Sequence, residues 1–282
     1  MKYRFLTPEE KTQLYRTFSQ AFSDYIIKLQ LTEEQFYHKL QREGVELVLT
    51  GGAFQSKVLS GFILSGTGNW NNKNTAYNAG TGVVPAARRK GVASNLYQYM
   101  LPVLKQNGIE QCLLEVIQQN NKAFELYLKL GFDVVRELDS FRVAKDVLTG
   151  AVNKAATIRF TASPDWHVYK QFWQTSPSWQ NMPESVARAS EKTAIAEAFV
   201  DGNLVGYGII FTQSGQVAQL AVQENMRGNG IGSQLLHQLK LSTAAPAISF
   251  INVDRSCSSL LQYLKNKKVP KLLSQHEMLL SL

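Results

Sequence analysis

A strand-to-helix turn written twice constrains this chain more than any other feature. Val83-Val84-Pro85-Ala86-Ala87-Arg88-Arg89-Lys90-Gly91-Val92-Ala93 returns as Val222-Gln223-Glu224-Asn225-Met226-Arg227-Gly228-Asn229-Gly230-Ile231-Gly232, at a constant offset of 139 residues, and the match continues through Ser94/Ser233 and Leu96/Leu235. Each copy follows a strand-like run and opens a helix-like one. Gly91 and Gly230 leave the backbone uncluttered where a helix begins, and a helix N-terminus offers unpaired N–H groups and the positive end of its dipole. Such a turn binds an anion like phosphate, and a side chain at Gly91 would stand where the phosphate oxygens must approach the backbone.

An offset of 139 nearly halves a chain of 282 residues and predicts two domains, 1–146 and 147–282, joined by the small-residue passage from about Lys145 to Ala156. With 44% hydrophobic and 18% charged residues, there is apolar material for two cores and no sign of disorder. The N-terminal residues lack the apolar run of a signal peptide and no later stretch approaches membrane-spanning length, so a cytoplasmic location is expected. Cys112 and Cys257 are too few and too scattered for a disulfide framework and read as inert, partly buried thiols. The four histidines show no metal-ligand spacing, and no metal is predicted. The net charge of +8 suits an anionic ligand, and by itself suits nucleic acid as well.

The periodicity then gives an order of elements. Lys2 to Leu6 alternates as a strand, Pro8-Glu9-Glu10 opens a helix through Leu14, Phe18 and Phe22, and Thr32-Glu33-Glu34-Gln35 is a capping box for a helix ending at Gly44. Strands are expected at Glu46–Thr50 and Lys57–Ser65, separated by Gly51-Gly52, and at Thr75–Val83. A helix from Gly91 to about Gln106 contains Pro102, the apolar run Cys112–Val116 is a buried strand, Asn120–Leu130 is a helix closed by Gly131, and Phe132–Val143 is a strand. The order repeats with strands at Thr157–Phe160, Ala194–Val200, Leu204–Phe211, Gln216–Val222, Ala247–Val253 and Lys271–Leu280. Trp166, Tyr169 and Trp173 keep helical spacing, and helices follow at Gly230–Leu241 and Cys257–Lys265. Asp201-Gly202, with or without Asn203, is the hairpin turn of the second half.

These residues resemble the GNAT superfamily of N-acetyltransferases, and the duplication resembles its tandem members, over nearly the whole chain. The family turn is Arg or Gln, two residues, Gly, one residue, then Gly or Ala. Arg88-Arg89-Lys90-Gly91-Val92-Ala93 and Arg227-Gly228-Asn229-Gly230-Ile231-Gly232 both fit. The first half also holds the second family element, as Leu114-Glu115-Val116, Asn120, Ala123, Tyr127, Gly131 and Phe132. The implied fold is α/β (α+β): two tandem GNAT domains, each a mixed, mostly antiparallel central sheet flanked by helices.

The resemblance implies acetyl-CoA as acyl donor, its pyrophosphate on the turn from Val83, with backbone N–H groups of Arg89, Lys90, Gly91, Val92 and Ala93 and charge-assisted contacts from Arg88. It implies Glu115 as general base and Tyr127 as general acid. An attacking ammonium must lose a proton and a leaving thiolate gains from receiving one. Asn120 is a ligand to the pantetheine arm, the N-cap of its helix, or both. In the second half Arg227, Gly228, Gly230 and Gly232 are the corresponding candidates. Aligning Tyr263 with Tyr127, however, puts Ser256 in the place of Asn120, and Ile251 and Asn252 stand near the Glu115 position. The first half is therefore expected to be catalytic and the second auxiliary, with the reverse assignment left open by the better-kept glycines of the second turn.

For the acceptor, a small-molecule or peptide primary amine, the candidates are Ser23, Asp24 and Tyr25 and the Trp70-Asn71-Asn72 loop. Asp24 either attracts an amine or terminates a helix. Trp166, Tyr169 and Trp173 read as core, and Trp179, after Ser176-Pro177-Ser178, reads as a loop aromatic that touches ligand or covers the core. The rival functions are a non-catalytic acyl-CoA-binding or regulatory protein and a nucleotide- or nucleic-acid-binding module. The chain has no Gly-Lys dipeptide for a phosphate loop and no basic stripe interleaved with aromatics. No nucleic acid and no membrane partner is expected, and the protein is expected as a monomer or homodimer.

Overall fold

The computed structural model describes residues 1–27, 29–148, 156–189 and 193–282. The expected junction at Lys145–Ala156 therefore lies in part, at 149–155, outside the described residues. The chain divides into two compact units, one formed by Met1–Arg136 with His276–Leu282 and the other by Glu137–Gln275. These units depart from a cut at residue 146 because a strand at the end of each half is shared out. Strand β6 (Asp133–Ala144) leaves the first unit after Arg136, and the end of β12 (Lys271–Ser281) belongs to the first unit.

In the first unit β1 (Lys2–Phe5), β2 (Gly51–Gln55), β3 (Val58–Trp70) and β4 (Lys73–Val83) are neighbours in that order and antiparallel. Strand β5 (Gln111–Ile117) then runs parallel to β4, from Thr75↔Gln111 to Asn78↔Leu114. Beyond Asn78 and Leu114 the pairing stops, so the two strands part at their C-terminal ends. Helix α3 (Val92–Gln106) and helix α4 (Asn121–Lys129) cover one face, burying Leu96, Met100, Leu104, Tyr127 and Phe132 in one core with Met278 of β12. Helices α1 (Lys11–Ala21) and α2 (Glu33–Glu43) carry the other face, with the rings of Phe18, Phe36 and Phe62 in contact. The capping box forms as read: Thr32 Oγ1 accepts from Gln35 N, Gln35 Oε1 accepts from Thr32 N, and Gly44 ends α2 in the left-handed region at φ +70°.

One expectation fails here. Leu47–Leu49 is a 3-10 turn, and Gly51-Gly52 lie inside β2 instead of breaking two strands. A Cβ on Gly51 would sit 2.1 Å from Met100 Sδ, so the glycine is there to let α3 lie close on the sheet.

The second unit repeats this plan. Strands β6 (from Glu137), β11 (Ala247–Asp254), β10 (Gln216–Val222), β9 (Asn203–Phe211), β8 (Thr193–Val200) and β7 (Thr157–Thr161) are neighbours in that order. All are antiparallel except β10 and β11, which pair in parallel only at Gln216↔Ser249 and Val217↔Phe250. The strands part at the same place in the repeat, since Val217 lies 139 residues after Asn78. Helix α7 (Ile231–Leu241) buries Leu235, Leu236 and Leu239 on one face together with Leu264 of α8 (Ser258–Asn266). On the other face lie α5 (Trp166–Lys170) and α6 (Pro183–Arg188), where Tyr169 stacks on Tyr207 with centroids 3.8 Å apart. Among the described residues no helix is long and apolar enough to cross a membrane.

Candidate functional site

The first turn has the geometry an anion site needs. After a 3-10 turn at Pro85–Ala87 the chain passes through Arg89 at φ +61° and Gly91 at φ +70°, the N-cap of α3. Arg89, Lys90 and Gly91 are exposed, while Val92 is buried and anchors the helix start. The positive φ is easy for glycine and leaves the first N–H groups of α3 facing outward.

Arg88 is used otherwise than the resemblance implies. Its Nε donates to Val83 O at 3.0 Å, one terminal nitrogen donates to Ala21 O at 2.9 Å, and both terminal nitrogens reach the Asp24 carboxylate at 2.6 and 2.7 Å. The guanidinium thus ties the end of β4 to the end of α1, and the same contact holds the Asp24 carboxyl below its usual range. The Asp24 carboxylate is engaged by Arg88. The second copy agrees: Arg227 Nε donates to Val222 O at 2.9 Å and its terminal nitrogen to Phe172 O at 3.2 Å.

Where β4 and β5 part, polar groups collect on the α3/α4 side. Asn78 Nδ2 donates to Tyr97 OH at 2.6 Å and to Thr81 Oγ1 at 2.9 Å, and the Tyr97 and Tyr127 rings meet edge to face at 6.0 Å. Burial raises the Tyr127 hydroxyl pKa, opposed by hydrogen bonding with Thr81 and Asn78. Asn120 Oδ1 accepts from Ala123 N at 3.3 Å, so it caps α4, and its Nδ2 lies 3.5 Å from Tyr25 OH.

Cys112, Leu114 and Val116 of β5 enter the α3/α4 core, so Glu115 points to the opposite face. There Tyr77 OH donates to Glu115 Oε2 at 2.6 Å, while Glu115 Oε1 is buried with no hydrogen-bond partner. Burial, reinforced by the nearby Glu277 carboxylate, pushes the Glu115 carboxyl up to about 8, although the Tyr77 hydrogen bond favours the ionised form. The two proposed catalytic groups thus belong to opposite faces of β5, next to the gap where it leaves β4.

The second unit holds a cavity of about 540 Å³ in the corresponding gap, between β10 and β11. Arg227, Gly228, Gly230 and Gly232 line it, as do Tyr263 and Asn252. Gly228 and Gly230 are left-handed at φ +83° and +85°. Burial raises the Tyr263 hydroxyl pKa, with a hydrogen bond to Ser233 opposing it. Ser256 does not repeat Asn120: it donates to Asp254, and Cys257 is the N-cap of α8 with no side-chain cap bond.

Of the two readings left open for Trp179 the structure takes the core one, and Trp173 packs on the core as expected while also reaching the cavity. Trp179 is 3% exposed within a 3-10 turn, and Trp173 donates its Nε1 hydrogen to Tyr207 OH at 2.6 Å. Trp70 is not in a loop: it closes β3, buried, with the Arg136 guanidinium 5.0 Å from its ring, and Asn71-Asn72 make the hairpin turn in left-handed conformation. Sequence reasoning missed Tyr77, Asn78, Thr81 and Tyr97. Their only signal was a run of polar residues in an otherwise apolar strand and helix.

The acetyltransferase (GNAT) family model matches residues 11–132 and 158–249, three-quarters of the chain, once in each repeat. The chain belongs to the acetyltransferase (GNAT) family. Among solved structures it is similar to a tandem GNAT protein from the clavulanic acid biosynthesis pathway, with TM-score 0.75 and 13% identity over 99% of this chain and 98% of that one. It is also similar to a putative acetyltransferase from Pyrococcus horikoshii, with TM-score 0.70 and 15% identity over 100% of this chain and 89% of that one. These likenesses establish the fold, which is a GNAT fold found twice. A chloroplastic GCN5-related N-acetyltransferase 6 of Arabidopsis thaliana is 28% identical over 91 residues, a segment that spans 32% of each protein.

Proposed function

We propose that the chain moves an acetyl group from acetyl-CoA to a primary amine of a small molecule or peptide N-terminus, in the first unit. The observation that carries this reading is Glu115, a carboxyl raised to about 8 with one oxygen held by Tyr77 and the other buried without a hydrogen-bond partner. A base poised near neutrality is what amine attack requires. The pyrophosphate rests on the N–H groups of Arg89–Ala93 at the start of α3, and Asn120, the cap of α4, is assigned to the pantetheine arm. As the amine nitrogen bonds to the thioester carbonyl carbon, its proton passes to ionised Glu115. The C–S bond then breaks, and the thiolate takes a proton from Tyr127.

The test is release of free thiol from acetyl-CoA over a panel of primary amines. Glu115→Gln and Tyr127→Phe should each lower kcat by about 10²-fold or more, the usual range for a lost proton-transfer group. Undiminished turnover in both variants would remove the assignment. A second reading places transfer in the second unit, because the 540 Å³ cavity is there with a kept turn and Tyr263. Loss of acetyl-CoA binding in Gly230→Glu but not in Gly91→Glu would favour it.

A further inference from the structure

The last strand of the chain brings a second carboxyl to Glu115. Strands β5 and β12 are neighbours, and just past the end of β12 Leu282 N donates at 2.9 Å to the carbonyl of Glu110, the residue before β5 begins. The end of one strand lies beside the start of the other, so the two run antiparallel. Counting back from that bond sets Met278 opposite Leu114 and Glu277 opposite Glu115. The packing agrees. Met278 and Leu280 share the α3/α4 core with Cys112 and Leu114, so alternation turns Glu277 to the face that Glu115 occupies.

Like charges directly opposite each other on one face of a sheet repel, and burial sharpens the repulsion. Glu277 is fully buried, and Arg136 holds both of its oxygens, with Nε donating to Oε2 at 2.5 Å and a terminal nitrogen donating to Oε1 at 2.7 Å. A bidentate guanidinium is the partner of an ionised carboxylate. Among the described residues Glu115 receives only the Tyr77 hydroxyl. The pair is therefore asymmetric: one carboxyl has a fixed counter-ion, and the other relieves the repulsion by taking up a proton.

The remaining charge near Glu115 comes from α2, where buried Glu43 is already paired with Lys39 and Arg42. Of the charges around Glu115, that of Glu277 acts on it most strongly and that of Arg136 least. We infer that Glu277 is a positioning residue for the reaction proposed above: its charge, fixed by Arg136, holds the proton on Glu115, and the last strand thereby sets the pH at which the base becomes available. The effect on rate rests on the reading of Glu115 as the base, whereas the effect on its proton stands without it.

The test is a pair of titrations of the full chain. Carbon-13 NMR of the glutamate carboxyls follows Glu115 directly, its signal assigned by its loss in Glu115→Gln, and kcat/KM for thiol release is followed over the same pH range with one primary amine throughout. Glu277→Gln removes the negative charge, leaves the guanidinium, and should lower the Glu115 midpoint by about one pH unit or more, with the kcat/KM midpoint following. Glu277→Asp keeps the charge and should titrate above Glu277→Gln. If Glu277→Gln does not fold, the double variant Arg136→Met, Glu277→Leu decides the matter, since it exchanges the ion pair for apolar groups of similar size. Its midpoint should also fall below the wild type, because Glu277 outweighs Arg136. An unmoved or raised Glu115 midpoint in Glu277→Gln, or in the double variant standing in for it, or Glu277→Asp titrating like Glu277→Gln, would overturn the role of Glu277. A lowered carboxyl midpoint beside an unmoved kcat/KM profile would uphold the hold of Glu277 on the proton and remove Glu115 as the base.

Discussion

Tyr77 OH donates to Glu115 Oε2 at 2.6 Å from one parallel strand to the next, just where β4 and β5 stop pairing. The register sets Tyr77 opposite Leu113 and Asn78 opposite Leu114, so Tyr77 reaches two residues beyond its row, along the same face, to the carboxyl. The hydroxyl favours the ionised carboxylate and burial disfavours it, with burial ahead. This balance leaves Glu115 near neutrality and makes Tyr77 a positioning residue. In Tyr77→Phe the loss of a hydrogen bond to a charged group should move the pH dependence of kcat/KM upward by about one unit. The measurement is the full pH profile; a uniform drop in rate with an unmoved midpoint would show that Tyr77 serves packing alone.

In the wild type the rate should rise with pH, close to tenfold per unit below about 8, and flatten above it, because the base role proposed for Glu115 requires its ionised form. A profile flat from pH 6 to pH 9 would take the base role away from Glu115.

The same carboxyl should be visible in stability. Its native pKa of about 8 lies above its ordinary value of 4.5, so the folded state holds a proton that the unfolded state releases. Its contribution is fully present below 4.5 and is lost as pH rises through 8, by linkage on the order of 5 kcal/mol. Glu115→Gln stays neutral throughout. Its Tm should therefore gain on the wild type steadily between pH 5 and pH 8.5, and parallel Tm curves would mean that Glu115 is ionised in the native protein.

Much of this could be read in the sequence, for identifiable reasons. The turns at Gly91 and Gly230 are local devices, in which six consecutive residues carry the whole geometry, and the capping box at Thr32 is equally local. The strand and helix that carry Glu115 and Tyr127 were legible because their short element is linear in sequence. Tyr77 was not, since its meeting with Glu115 depends on parallel register across 38 residues. Gly51 misled for a related reason: its role is set by Met100 on a distant helix, while its local signal is a turn. That Trp173 lines a cavity besides packing on the core was not legible, because period alone cannot tell which face of a short helix meets a cavity. The sharing of β6 and β12 between units leaves no mark in a strand pattern at all.

Arg88 and Asp24 separate a brace from a binding site. Arg88→Ala should cost about 1 to 3 kcal/mol, mainly by abandoning the Val83 and Ala21 carbonyls. Asp24→Asn should cost under about 1 kcal/mol, since the pair is half exposed. If Asp24 is a helix-end partner only, KM for the amine changes less than about threefold in Asp24→Asn, judging by the small worth of an exposed charge. A tenfold rise in KM, measured beside an unchanged Tm, would return Asp24 to the acceptor site.

Glycine substitutions divide the anion role from the packing role. A Cβ on Gly91 meets nothing nearer than Asn95 Nδ2 at 3.8 Å, so Gly91→Ala pays only for its left-handed backbone, about 1 kcal/mol. Gly51→Ala drives a methyl into Met100 and should cost more, about 1 to 3 kcal/mol, without touching acetyl-CoA affinity. Gly91→Glu adds a carboxylate where phosphate oxygens approach, as Gly230→Glu does in the second turn. Calorimetric titration of acetyl-CoA should then show the wild-type stoichiometry reduced by Gly91→Glu, with thiol release abolished. Gly230→Glu should leave thiol release intact while removing any binding assigned to the second cavity. Abolished turnover in Gly230→Glu alone would transfer the reaction to the second unit, where no residue corresponding to Glu115 stands and the base would have to come from another strand.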